Sequence, residues 1–272
     1  MPDSPRRRRL RASAPLVALT VVAVPGLGLG AGCGGSSGPT TLTVLTTSSL
    51  TEVADELGRA YAQENPGIRL RFEFGASPEL SDRLSDHDPG DVLMTADQAD
   101  MDEADEYLAD QPRVVGHTSL TIAVRPGNPR RIRGLDDLTR RGLRVAVGAG
   151  TVPVGRYTRQ VLAKAGLTVR WTSEEISARA VLDRVRSGDA DAGIVYVTDL
   201  RSAGVAASSV PIPADVNVTA AFPAAPVRDG DHEEDASAFV SWLTTPAAQK
   251  LFNKYGFATA PTPPPLSGTE RH

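Results

Sequence analysis

Cysteine is almost missing from this chain: one residue, Cys33, in 272 positions. A single thiol closes no internal disulfide and supplies no C-x-x-C pair for a zinc or redox site. Histidine is scarce too, and His87, His117, His232 and His272 are scattered; the run His232-Glu233-Glu234-Asp235 lacks a second ligand at helical spacing, so no H-E-x-x-H metal site exists. The G-x-S-x-G nucleophile elbow and the Walker A loop are absent as well, which removes the usual signatures of hydrolases and nucleotide-binding enzymes. Gly148-Ala149-Gly150 is the nearest dinucleotide motif, but Pro153 stands where its third glycine belongs. No cofactor and no directly bound metal is called for. Basic residues form no stripe of the kind nucleic acid requires. Of 29 basic and 33 acidic residues, five arginines and Asp3 precede Cys33, so the remainder of the chain is eight charges negative. Beyond the leader, no apolar run is long enough to cross a bilayer.

What the first 32 residues do contain is an address. An arginine-rich start (Arg6, Arg7, Arg8, Arg9, Arg11) precedes an apolar stretch at 14–30 that is too short and too broken by glycine and proline for a stable membrane helix, and Ala31-Gly32-Cys33 follows. Residues 1–32 thus read as a signal peptide. Cys33 lies where lipoprotein signal peptidases cut, and the Gly- and Ser-rich segment after it makes 33–40 a lipid-anchored flexible tether. Lipidation accounts for the lone cysteine better than an incidental thiol does. Gly30 stands three places before it, where bacterial lipoproteins usually carry leucine, and the arginine run also resembles a twin-arginine signal, leaving the export route open.

From residue 41 onward strands and helices alternate, the pattern of doubly wound, mainly parallel sheets. Strands are expected at 41–47, 68–74, 91–95, 117–124, 144–147, 193–197 and 217–222. Ser49 with Glu52 reads as a capping box, Pro78 as the first position of a helix, and Pro246 as an interruption of the helix at 236–251. Two such α/β sets occur, and the last strand and helix have no sheet in the second. The simplest closure returns them to the first, giving lobe 1 from 41–121 plus 216–257 and lobe 2 from 122–215, with a cleft between. Residues 258–272, rich in proline, read as a disordered tail.

Tyr196 ends the apolar run Gly193-Ile194-Val195-Tyr196, at the carboxyl end of a buried strand, where ligands of open α/β sheets gather. For a lone tyrosine the commoner reading is core, with the hydroxyl merely finding a buried partner. Four loops share a second design, at Ser48 and Ser49, at Ala76 and Ser77, at 152–155, and at Ser177 and Ala178: a strand ends, small or hydroxyl residues follow, and a helix starts. Helix starts offer unpaired N–H groups and a positive dipole end, which together make an anion site without any cationic side chain. Each serine alone reads as an N-cap, but a capping hydroxyl still has its own proton to donate. Arg156, Arg159 and Arg179 read as solvated helix-surface residues, and the acids of 100–110 as a solvated helix face.

Taken together, Ser49-Leu50-Thr51, Phe74-Gly75-Ala76-Ser77, the segment 91–98 (DVLMTADQ), Val152-Pro153-Val154-Gly155-Arg156-Tyr157, the segment 190–196 (ADAGIVY) and Lys254-Tyr255-Gly256-Phe257 resemble, in order and spacing, the periplasmic molybdate-binding proteins of ABC transporters. The resemblance covers residues 42–258. It implies a two-lobed α/β periplasmic-binding-protein fold, type II-like, that catalyses nothing, holds molybdate or tungstate in its cleft, and presents it to membrane permease subunits. On that basis the ligand contacts fall on the hydroxyl and N–H of Ser49 and Ser77, the N–H of Val154 and Ala178, and the hydroxyl of Tyr196. It further implies a monomer on the outer face of the bacterial cell membrane. Sulfate, phosphate or a small organic acid in the same fold, and a secreted serine hydrolase, are the alternatives. This chain departs from the family at Ala149-Gly150, where Asp-Pro is usual, at Val154, where alanine is usual, and at Glu79, which brings a carboxylate close to a proposed anion contact and must point away from it.

Overall fold

A computed structural model describes residues 38–85, 90–228 and 232–259, all within one compact unit. The leader, Cys33, His87 and His272 lie outside the described residues. Strand β1 (Thr40–Thr47) buries Leu42, Val44 and Leu45 completely. A 3-10 turn at Ser48–Leu50 feeds α1 (Thr51–Glu64), whose Val53, Leu57 and Tyr61 recur every four residues and form its core face. Then come β2 (Ile68–Gly75), α2 (Ser77–Ser85) with Leu80 and Leu84 inward, β3 (Val92–Met94) and α3 (Gln98–Glu103). The long β4 (Arg113–Val124) leads to β5 (Val145–Gly148), α4 (Pro153–Lys164), β6 (Ser173–Glu175), α5 (Ala178–Ser187), β7 (Ala192–Tyr196) and α6 (Val197–Ala203). The chain closes with β8 (Ser208–Pro211), β9 (Thr219–Pro226), α7 (Glu233–Trp242) and α8 (Pro246–Lys254).

The sheet order is β2-β1-β3-β9-β4-β7-β5-β6, with β8 on β4. Two parallel sections, β2-β1-β3 and β6-β5-β7, are joined through antiparallel pairs on β9 and β4. β4 serves both sections. Its first half, from Arg113 to Ser119, pairs with β9, and its second half, from Leu120 to Val124, pairs with β7 and β8. Thus β9, late in the chain, inserts beside β3. Both parallel sections have helices following their strands, so their carboxyl ends are the places where helix N-termini collect.

Several local expectations need correction. The Ser49–Glu52 capping box does not form, because Ser49 lies inside the 3-10 turn and α1 is preceded by Leu50, which offers no capping side chain. β6 and β8 had no periodic signal: short, polar edge strands bury too little to leave one. Ala258, read as the start of a disordered tail, exchanges two backbone hydrogen bonds with His117, of 3.1 and 2.8 Å; the remaining tail from 260 lies outside the described residues.

Aromatic contacts tie the carboxyl-terminal helices to the sheet. Tyr61 meets Phe239 and Trp242 edge-on at 5.0 and 5.2 Å. A second chain of edge-on rings runs from Phe252 through Phe257 and Phe222 to Tyr196, at 5.6, 5.1 and 5.6 Å. Phe222 and Phe252 are fully buried, each contributing roughly 1.5–3 kcal/mol by leaving water. The Lys254-Tyr255-Gly256-Phe257 motif therefore packs, through two rings, against the tyrosine of the candidate site.

Candidate functional site

Ser49, Ser77, Val154, Ala178 and Tyr196 line a single small cavity. Four helix starts meet there: the 3-10 turn before α1, then α2, α4 and α5. The N–H groups of Ser77, Val154 and Ala178 belong to first turns, which have no intrahelical acceptor. Among the lining residues none is charged.

Hydroxyl groups complete the donor set. Ser77 Oγ accepts from the Ala96 N–H at 3.2 Å and Ser177 Oγ from the Ala180 N–H at 3.1 Å, which leaves each hydroxyl proton free to point elsewhere. Tyr196 is 1% exposed, and its phenolic oxygen is buried without a hydrogen-bond partner among the described residues. Burial above all, then Tyr157 and Asp199, pushes this phenol well above its ordinary value, so it stays a donor. A buried hydroxyl with no acceptor costs about 1–3 kcal/mol, a cost that a ligand oxygen in the cavity removes.

Close packing shapes the walls. A Cβ at Gly155 would lie 1.8 Å from the Ala149 carbonyl oxygen, so only glycine lets the start of α4 press against the turn after β5. A Cβ at Gly148 would lie 2.5 Å from Val154 Cγ1; the valine found where the family has alanine thus uses space that glycine leaves open. Glu79 is exposed and lies with Pro78, Asp82 and Arg83 on an adjoining hollow, not on the cavity wall. Ile176, 69% exposed, lies at both the cavity and that hollow.

The arginines are not solvated surface residues. Arg156 of α4 donates to Asp97 Oδ2 at 2.8 Å, to Asp100 Oδ1 at 2.5 Å and to the Thr151 carbonyl. Arg179 of α5 donates twice to Glu52 Oε1 of α1, at 2.8 and 2.7 Å. Arg159 spans the Gly148 and Gly155 carbonyls at 3.0 Å each, pairs with Glu174 at 2.6 Å and stacks on Trp171 at 5.1 Å. Asp100, read as part of a solvated face, is fully buried. Burial and the neighbouring Asp97 push its carboxyl up to about 6 against the pull of Arg156. Because the folded chain holds that proton more tightly than the unfolded one, stability falls as pH rises from about 4 through 6. Asp97, Asp100 and Glu52 escaped sequence reasoning, since partners 59, 56 and 127 positions apart leave no local signal.

A neutral cavity at the carboxyl ends of two parallel sheet sections, beside a strand shared by both, is the arrangement of a periplasmic-type solute-binding protein. The family model of bacterial extracellular solute-binding proteins matches residues 42–258, and the chain belongs to that family. Among its relatives is the molybdate-binding protein ModA of Mycobacterium tuberculosis, 33% identical over 227 residues, covering 83% of this chain and 87% of that one. The Escherichia coli molybdate-binding protein ModA is 28% identical over 231 residues, covering 79% and 88%. In fold the chain is similar to the periplasmic molybdate-binding protein of Azotobacter vinelandii (TM-score 0.70, 21% identity, covering 81% of this chain and 100% of that one). It is equally similar to the sulfate-binding protein SubI of Mycobacterium tuberculosis (TM-score 0.70, 21% identity, 80% and 86%).

Proposed function

We propose that this protein is the extracytoplasmic receptor of an ABC importer, capturing molybdate in the cavity around Tyr196 and handing it to the membrane permease. The carrying observation is a small cavity walled by four helix starts and hydroxyls with no charged side chain, in a chain whose relatives at 28–33% identity are molybdate-binding proteins. The contacts are the hydroxyl and N–H of Ser49 and Ser77, the N–H of Val154 and Ala178, and the Tyr196 hydroxyl. All of them donate to anion oxygens.

A protein eight charges negative after its leader gains nothing from long-range attraction of a dianion. Affinity comes from short hydrogen bonds and dipoles in a poorly solvated cleft, where they are worth far more than in water. Selectivity follows from the same donors: a protonated anion such as hydrogen phosphate brings a proton that finds no acceptor, at a cost of about 1–3 kcal/mol. Tungstate, of nearly the same size and charge, binds alongside molybdate. Titration calorimetry with molybdate, tungstate, sulfate and phosphate tests this. Tight binding of the first two with little phosphate binding is expected, and preference for sulfate or phosphate would sink the molybdate reading.

The receptor has two lobes, 41–121 plus 216–257 and 122–215, and closes on its ligand about the crossing strands. In support, β4 gives its two halves to different sheet sections. It acts as a monomer tethered through lipidated Cys33. Cys33→Ala is expected to move the protein from the membrane fraction to the soluble one; a wild-type protein already soluble, with its mature start elsewhere, would refute the anchor.

A further inference from the structure

Away from the cavity, the chain gathers positive charge that anion capture by neutral donors does not use. Residues 125–144 hold seven arginines and two aspartates, in a chain that is eight charges negative after its leader. Three of those arginines, Arg140, Arg141 and Arg144, meet Arg170 and Trp171 around a hollow of about 720 Å³, the size of a small-molecule site. Threonines line it as well, and no acidic residue does. Arg144 directly precedes β5, and Trp171 and Thr172 directly precede β6, whereas the cavity lies past the carboxyl ends of the same two parallel strands. Hollow and cavity therefore sit at opposite ends of one sheet section.

Counter-charge is short at the hollow. Arg144 donates to both oxygens of the buried Asp191, at 3.0 and 3.3 Å, and Arg130 shares that carboxylate at 3.2 Å. Arg140 donates to the Arg130 carbonyl at 2.7 Å and lies 3.7 Å from Asp137. Arg141 and Arg170 are exposed and pair with no carboxylate among the described residues. Arg130, Arg140, Arg141, Arg144 and Arg170 thus face only Asp137 and Asp191. A guanidinium stays charged at every working pH, accepts no hydrogen bond, and presents a planar fork of N–H donors that matches phosphate oxygens two at a time. The pairing of Arg144 and Arg140 holds two of these forks in place before any ligand arrives. The cluster is concave and local, not the stripe that a nucleic-acid backbone follows.

We infer that this hollow is a second anion site, separate from the cavity, for a ligand carrying two or more phosphate groups. Arg141 and Arg170 are its free contacts, and Arg140 and Arg144 its fixed ones. The surplus of cations, and a width greater than one small oxyanion fills, call for more than one anionic group. Free oligophosphates and the neighbouring headgroups of an anionic phospholipid surface share that chemistry. Such a site stands whether or not the cavity holds molybdate.

The test uses the purified chain carrying Cys33→Ala, so that no lipid anchor contributes. Two probes are compared: sodium tripolyphosphate by titration calorimetry, and phosphatidylglycerol–phosphatidylcholine vesicles by co-sedimentation, against phosphatidylcholine alone. Binding that weakens as salt rises is expected, with one site per chain for tripolyphosphate. The double variant Arg141→Gln/Arg170→Gln removes two exposed cations and strands no partner. It is expected to bind at least about tenfold more weakly, two charge-assisted bonds being lost, with its melting temperature and molybdate affinity unchanged. Either single variant serves if the double one does not fold. Tripolyphosphate binding without vesicle binding assigns a free ligand, and vesicle binding without tripolyphosphate binding assigns a lipid headgroup; both results support the site. Binding of neither probe overturns it, as does binding that a folded variant retains in full. A molybdate affinity that falls in the double variant would overturn the separation of hollow from cavity.

Discussion

The cavity wall and its flanks use opposite electrostatics within a few residues of one another. At the wall, Ser49, Ser77, Val154, Ala178 and Tyr196 offer neutral donors and no charge. On the flanks, Arg156 meets Asp97 and Asp100, and Arg179 meets Glu52, so each cation is spent on carboxylates before it reaches the cavity. The two flanking pairs also join the first part of the chain, from α1 to α3, to α4 and α5 of the second. Charge here fastens the walls, and dipoles face the space between them. A free cation in the cavity would attract any anion, including protonated ones; neutral donors favour anions that only accept.

Placing a charge on the neutral wall is the strongest way to break this contrast. Ser77→Asp is expected to abolish molybdate binding, a loss of more than a thousandfold by calorimetry, because an unpaired carboxylate facing an anion in a dry cleft costs several kcal/mol. Stripping a flank is next. Arg156→Ala leaves Asp97 and the buried Asp100 without their cation, and a loss of about 3–5 kcal/mol in unfolding free energy is expected from denaturant titration, as for one partner removed from a buried pair. Part of that loss is recovered below about pH 6, where Asp100 protonates. Unchanged stability would mean that the flank carries no load.

Smaller effects sharpen the comparison. Tyr196→Phe removes one wall donor and is expected to cost roughly 1.5–3 kcal/mol of binding, ten- to a hundredfold in Kd, with the melting temperature preserved. Arg179→Ala is the mildest. Both partners of that pair are partly exposed, at 34% and 28%, so a loss of at most about 1 kcal/mol is expected, shrinking further in high salt. Tyr196→Phe, by contrast, should show little salt dependence. Should Arg179→Ala abolish binding while Tyr196→Phe leaves it intact, the division between wall and flank is wrong.

Much of this molecule was legible along the chain, and the legible part has a common cause. Strand and helix periods, Pro78 in the first turn of its helix, the break at Pro246, the Ser177 cap, and the small residues at strand ends are all local, and local geometry dictates them. The same locality explains why the five residues assigned to the site share one cavity: each sits at a strand's carboxyl end, and parallel strands present those ends on the same side. Polar edge strands such as β6, with no buried face to set a period, were invisible.

Only the tertiary structure decided what depends on distant partners. Whether Glu52 caps its own helix or holds Arg179, whether Arg156 faces water or Asp97, and whether Asp100 is exposed or buried are settled by neighbours that the fold brings from 56 to 127 positions away. The support of Tyr196 by Phe222 and Phe257 is of the same kind. Sequence by itself determined where donors could stand, because caps and strand ends are properties of a few consecutive residues. The fold decided which charges were cancelled and which were buried, because electrostatics depends on distance and burial, and neither follows from position along the chain.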